Sequence, residues 1–431
     1  MTAIATPLLH RSGLSAAAAV VRTEAALVRS ALGVVALHVA DDSWLQPNPG
    51  TTAGDHVLGG LVPVSLLVAA IVFYPRLRAG VRATIALTGA FFAGLVSTEA
   101  IHYTRAVGPS GDDFTGLLCI PACLLLVGVG IRTLWTFRRR DDSRWWRYPR
   151  RLLVAGTAAV ITGFVLFPIS IAYVVTHALR AQVPAANLGA PYENVEFRTS
   201  DGLLLKGWYI RSENGAAVIS FPGRAGSQSR AKMLADHGYG VLLFDRRGEG
   251  ESEGDPNLLG WQGERDIHAA VAYLQTRPDV DPERIGGVGL SVGGEMMIEA
   301  AAESTALKAI VTEGASGRSV RDVRANEGGS WDELLSTGVL TAATALFTDN
   351  VAPAPLESLV PKMSAAAFFI YGENGQPAEE GANVGFYRAT RSPKQIWEVP
   401  GSGHMKGIEA QPEEYERRIA AFFDRTLRGR A

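Results

Sequence analysis

Cysteine is almost absent from the chain: Cys119 and Cys123 are the only two in 431 residues, four apart inside one apolar run. At that spacing both lie on one face of a helix. No histidine or acidic residue shares the run, so they read as small packing residues rather than metal ligands. The chain beyond residue 180 has no cysteine, which suits an oxidising or a reducing compartment alike. Positive charge is not in excess either, with a formal net charge of -2. The arginine clusters stand between apolar runs instead of on a polar domain, which argues against a nucleic-acid-binding face. No ligand-spaced set of His, Cys and Asp occurs, so neither a metal nor a cofactor is expected. Lysine is much rarer than arginine, a bias that suggests a GC-rich bacterial genome.

What the chain does have changes near residue 180. Before it, Ala, Val, Leu and Gly runs dominate; after it come charges, turns and short alternating strand and helix patterns. Apolar runs at about 57–74, 83–101, 115–134 and 152–176 approach the roughly 20 residues a membrane-spanning helix needs. A fifth, 25–40, is shorter and carries Arg29 and His38, which could face a bundle interior. Loop charge favours counting it as a span. Arg76, Arg78 and Arg82 mark one connection as cytoplasmic, as do Arg138, Arg139, Arg140, Arg144, Arg147, Arg150 and Arg151 in another. Asp41, Asp42, Asp55, Asp112 and Asp113 mark the intervening loops as external. An N-terminus bearing Arg11, Arg22 and Arg29 then belongs inside, and no cleavable signal pattern precedes the first run. The expectation is an all-α transmembrane bundle over 1–180, with the N-terminus inside and everything beyond it outside the cytoplasmic membrane.

From residue 190 to 429 the pattern is that of a mostly parallel sheet covered by helices, begun by an antiparallel hairpin at Asp201-Gly202. In such sheets chemistry collects at the C-terminal strand ends. One strand ends in Gly289-Leu290-Ser291-Val292-Gly293-Gly294. The flanking glycines permit a sharp strand-to-helix turn that lifts the Ser291 hydroxyl above the sheet, and the helix start offers the Val292 N–H to an oxyanion. Another strand runs into Pro222-Gly223-Arg224, a loop able to present the Arg224 N–H to the same oxyanion. His404 follows the last strand in the glycine-rich "PGSGHMKG", where a histidine is a candidate general base.

These segments, together with "FDRRGEGESEG" (244–254), resemble the α/β-hydrolase family of serine hydrolases over the C-terminal part of the chain. The resemblance implies an esterase, lipase, thioesterase or peptidase with a catalytic triad and an oxyanion hole, acting on a small-molecule or lipid-like acyl substrate. The family's loop after the penultimate strand commonly reads Gly-x-x-Asp, and here Gly372-Glu373-Asn374-Gly375 puts glycine at the acid position. Glu379 is the first candidate for the missing acid, followed by Glu313, Glu380 and Glu373. The family's lid position falls at 325–361, whose apolar "WDELLSTGVLTAATALF" suits either a lid over a hydrophobic pocket or packing against the membrane half. The alternative reading is a non-catalytic binding or sensory membrane protein using the hydrolase-like domain as a receptor; the absent aspartate is its main support.

Overall fold

The computed structural model describes residues 9–136, 144–325 and 329–429. Arg138, Arg139 and Arg140, and residues 326–328 of the 325–361 segment, lie outside the described residues. Two compact units emerge: Met1–Pro47 with Thr52–Ala159, and Asn48–Thr51 with Val160–Ala431.

The first unit contains α1 (Leu9–Ala40), α2 (Val57–Phe73), α3 (Ala79–Val107), α4 (Asp113–Thr136) and most of α5 (Arg144–Ile161). Together with the continuation of α5 into α6 (Phe167–Thr176), the described residues hold five helices long and apolar enough to cross a membrane. Four of them overrun the expected runs at one or both ends, 83–101 becoming Ala79–Val107, while α2 (Val57–Phe73) ends one residue short of 57–74. Polar flanking residues do not stop a helix that the apolar run has already nucleated. Small residues let the helices approach closely: Ala25, Ala31, Ala86, Ala90 and Ala122 pack with Leu32 and Leu126 in one buried cluster. Cys119 is buried and unbridged. His38 turns inward onto Thr115, at 3.1 Å, whereas Arg29 is exposed and donates to the Ile71 carbonyl, so the expectation that both face the interior holds for the histidine alone.

Val160–Thr176, the last part of the fifth apolar run, groups by contact with the second unit. The helix continues from α5 through one widened turn, Thr162–Leu166, into α6. There Pro168, Ser170, Ala172 and Thr176 are buried, and the Tyr173 and His177 rings meet Phe347. Asn48–Thr51 joins the same unit because Pro49 accepts from the Gly254 N–H and Asn48 donates to Asp255.

The second unit is built on an eight-stranded sheet: β1 (Glu193–Arg198), β2 (Leu204–Ile210), β3 (Ala217–Phe221), β4 (Gly240–Phe244), β5 (Ile285–Leu290), β6 (Ala309–Glu313), β7 (Ala366–Asn374) and β8 (Lys394–Gly403), in the order β1-β2-β4-β3-β5-β6-β7-β8. β1 pairs antiparallel with β2, and β2 with β4; the remaining pairs are parallel. Every residue of β3, β4, β5 and β6 is buried. That is why these strands read as continuous apolar runs without alternation. The helices used below are α7 (Gln228–Asp236), α8 (Glu264–Gln275), α9 (Val292–Glu303), α10 (Trp331–Thr348), α11 (Glu379–Ala389) and α12 (Pro412–Leu427). Two apolar layers result, one around Phe221, Ile267 and Phe369, the other around Val288, Phe368 and Phe423. α10, in the segment where a lid was expected, packs beside α6.

Candidate active site

At the end of β5 the chain turns into α9 through Ser291, whose φ of 48° lies in the left-handed region. For a non-glycine residue this costs on the order of 1–3 kcal/mol, and two short bonds hold it: the Ser291 N–H donates to the Glu313 carbonyl at 2.7 Å, and the Ser291 carbonyl accepts from Gly294 at 2.8 Å. A side chain at Gly293 would run into Phe221 and Pro222, so glycine there lets the elbow seat against the end of β3. Val292 is the first residue of α9, and its N–H has no intrahelical acceptor.

The side chains of Ser291, His404 and Glu379 meet above the sheet edge. His404 Nε2 lies 3.0 Å from Ser291 Oγ. On the other side of the ring, Nδ1 bonds Glu379 Oε1. A carboxylate only accepts, so Nδ1 carries the proton and Nε2 is left to accept from the hydroxyl. Glu379, the first residue of α11, is 1% exposed and also accepts the Gln376 N–H at 2.9 Å. Burial by itself would raise its pKa; the bonds from His404 and the Gln376 N–H outweigh that and hold the carboxyl below the usual glutamate range. A Cβ on Gly375 would fall on the Glu379 carboxylate. The glycine at the usual aspartate position therefore leaves the space that the displaced glutamate fills.

The other acid candidates lie elsewhere. Glu380 is exposed, and Glu373 is an exposed residue that caps the Gly401 N–H at 2.7 Å. Glu313 is buried against Arg230 (2.8 Å) and the Tyr415 hydroxyl (2.7 Å), and its Oε1 accepts the Gly407 N–H at 2.7 Å. Arg230 also donates to the Met405 carbonyl. This cluster ties α7, α12 and the loop bearing His404 to the strand end beside Ser291. Burial and the Glu313 charge push the Tyr415 hydroxyl well above its ordinary pKa. Sequence reading missed Arg230 and Tyr415 because their partner Glu313 lies 83 and 102 positions away.

Arg224 requires a correction. Its backbone N–H is already donated to Asp245 Oδ1 at 3.0 Å, and its guanidinium bonds Asp245 and Glu251. Because β3 and β4 are parallel neighbours, Asp245 at the end of β4 sits beside the loop and captures both donors. In this structure the N–H does not serve as a second oxyanion donor. Elsewhere Arg247 pairs with Asp266 and Asp201, fixing the loop after β4. Glu295 accepts from the Ser316 and Gly317 N–H groups. A pocket of about 210 Å³ is lined by Val183, Pro222, Gly223, Asp245, Arg246 and Glu249.

Residues 177–388 match the family model of X-Pro dipeptidyl-peptidases (S15 family), a stretch that includes Ser291 and Glu379. The chain is 34% identical over 117 residues to the uncharacterized protein YfhR of Escherichia coli K12, covering 25% of this chain and 40% of that protein. It is 36% identical over 129 residues to the thiohydrolase aneE of Aspergillus aculeatus, covering 28% and 41%. The chain thus spans about two fifths of the length of these curated relatives. Among solved structures, the Pyrococcus furiosus esterase Pf2001 superposes with a TM-score of 0.48 at 21% identity, over 59% of this chain and 98% of that one.

Proposed function

Because its C-terminal unit belongs to the α/β-hydrolase family, we propose that this protein is a membrane-anchored serine hydrolase that cleaves an ester, thioester or amide through an acyl-enzyme. Ser291 Oγ attacks the carbonyl carbon while His404 Nε2 takes the hydroxyl proton. Glu379 keeps the ring in the required tautomer and stabilises the imidazolium. The carbonyl electron pair moves onto oxygen, where the Val292 N–H at the start of α9 receives it. As the tetrahedral species collapses, the bond to the leaving group breaks and His404 hands it the proton, leaving the acyl group on Ser291. Water then attacks with His404 again as base, and the acid departs as Ser291 regains its proton.

The observation that carries this reading is the unbroken chain of hydrogen bonds from Ser291 through His404 to Glu379. The receptor alternative drew on a missing aspartate; the buried Glu379 bonded to His404 supports the hydrolase reading instead. The name of one relative, a thiohydrolase, supports including thioesters. The five long apolar helices support anchoring; the arginine-rich connections support an N-terminus on the inner side of a bacterial cytoplasmic membrane and a catalytic unit on the outer side. The test is hydrolysis of a water-soluble p-nitrophenyl ester by the purified full chain. Ser291→Ala is expected to fall to the uncatalysed rate; an unchanged rate would sink the proposal.

A further inference from the structure

One groove of the helical unit has no part in the chemistry above. It has a volume of about 390 Å³ and lies between α1 and the end of α2. From α1 it takes Arg22, Ala25, Ala26 and Arg29, at the i, i+3, i+4, i+7 spacing that puts four side chains on one helix face. Val72, Pro75 and Arg76 form the other wall. The lining thus holds three guanidinium groups and no carboxylate, and between the arginines it is apolar.

The three arginines keep donors for a ligand. Arg29 Nε donates to the Ile71 carbonyl at 3.0 Å. That carbonyl would ordinarily accept from the N–H four residues on, but Pro75 has none. Capping α2 occupies one of the five guanidinium N–H groups and leaves the four on the terminal nitrogens. Arg76 reaches back to the Val72 carbonyl at 3.4 Å, and Arg22 is exposed. The acid nearest in sequence, Glu24, turns to the bundle interior instead: it is buried, accepts from the Tyr74 hydroxyl at 2.8 Å and pairs with Arg82 at 3.6 Å.

Arg29 also belongs to the apolar run 25–40 and is exposed. In a run that crosses a bilayer, a charge facing lipid is unfavourable unless it meets an anion or water, and a long side chain near the helix end extends toward the headgroups. Arg22, Arg29 and Arg76 all belong to the segments whose charge marks the cytoplasmic side. Such a groove suits a ligand that is anionic at one end and apolar at the other. It offers nothing to a headgroup ammonium, which excludes a preference for zwitterionic lipids.

We propose, resting on the membrane reading above, that this groove binds an anionic phospholipid of the inner leaflet. The three guanidinium groups surround the phosphate, whose oxygens match their planar fork of donors, and Ala25, Ala26 and Val72 take the first part of an acyl chain. The lipid is a ligand of the helical unit, distinct from any substrate of Ser291.

The test is native mass spectrometry of the detergent-solubilised full chain, titrated with phosphatidylglycerol or phosphatidylcholine, with inorganic phosphate as competitor. Phosphatidylglycerol is expected to bind more tightly than phosphatidylcholine and to resist displacement by phosphate. Arg22→Gln, Arg29→Gln and Arg76→Gln should each weaken it by about fivefold. Arg78→Gln removes an exposed charge from the same connection but outside the groove and should leave binding unchanged. A single gel-filtration peak shows that each variant is folded, and the comparison of the two lipids on the wild-type chain needs no variant. Equal binding of both lipids, or groove variants that bind like Arg78→Gln, would overturn the lipid site and leave the anchor standing. Displacement by inorganic phosphate would make the groove a plain anion site and overturn the lipid assignment. Alkaline carbonate extraction of membranes tests the reading beneath: if it releases the chain, the membrane reading fails and takes this inference with it.

Discussion

Glu379→Gln isolates the charge of the proposed triad. Both the His404 and the Gln376 bonds fall on Oε1, while Oε2 is buried without a hydrogen-bond partner. A glutamine with its oxygen in the Oε1 position and its nitrogen in the Oε2 position keeps both bonds, so the ring orientation survives and only the charge is lost. That charge matters when His404 becomes an imidazolium. Two unit charges about 4 Å apart interact by about 4 kcal/mol at the effective dielectric of a protein surface, and exchanging a charge-assisted for a neutral hydrogen bond costs about 1–1.5 kcal/mol. These overlap rather than add, which puts the loss at about 2–4 kcal/mol, or roughly 30- to 1000-fold in kcat. Because the imidazolium forms only on the way to the transition state, KM should stay near the wild-type value. Steady-state hydrolysis of a p-nitrophenyl ester by wild type and variant reads both constants. A kcat within about threefold of wild type, under 1 kcal/mol, would refute the role given to this carboxylate, as would a loss confined to KM.

Gly375→Ala places a methyl where the Glu379 carboxylate sits; kcat should drop toward the Glu379→Gln level, and the double variant should be no worse than the poorer single one, whereas additive losses would show that the two act separately. Arg230→Met strands the Glu313 carboxylate, since the pair is 3% and 2% exposed, and should cost about 3–5 kcal/mol of stability in denaturant unfolding; a loss below about 1 kcal/mol would contradict a tight buried pair. Burial, with Glu299 and Glu303 nearby, pushes Glu264 up to about 7. A raised folded pKa stabilises fully below the unfolded value near 4.5, and that stability is lost as pH rises toward 7. Glu264→Gln should therefore raise Tm at pH 8 and leave it nearly unchanged at pH 4.5; an equal shift at both would rule out ionisation as the cause. A C-terminal alkaline phosphatase fusion in a bacterial host should be active and a fluorescent protein fusion dark; the reverse pattern would invert the orientation.

Local chemistry was the most legible part of the sequence. Ser291 could be singled out because everything that makes its turn lies within five consecutive positions, and the buried strands showed because both faces are covered. His404 stood out by following the last strand. Glu379 was one glutamate among four; what distinguishes it is the space at Gly375 and the start of α11, which exist only once the loop is folded. Arg224 misled for a related reason: its N–H is captured by Asp245, a neighbour across two parallel strands and 21 positions away in the chain. The Arg230, Glu313 and Tyr415 cluster left no local signal at all. The fifth apolar run was legible as one helix; that its last part, Val160–Thr176, groups by contact with the second unit follows from packing beside α10.

The central claim is that Ser291 is an activated nucleophile, and covalent labelling reads that directly. The detergent-solubilised full chain is treated with a fluorophosphonate and digested, and the modified peptide is located by mass spectrometry. The account predicts a single phosphonylated residue, Ser291, with labelling lost in Ser291→Ala and sharply slowed in His404→Ala. A folded wild-type chain that takes up no label, or takes it up at another serine, would contradict it.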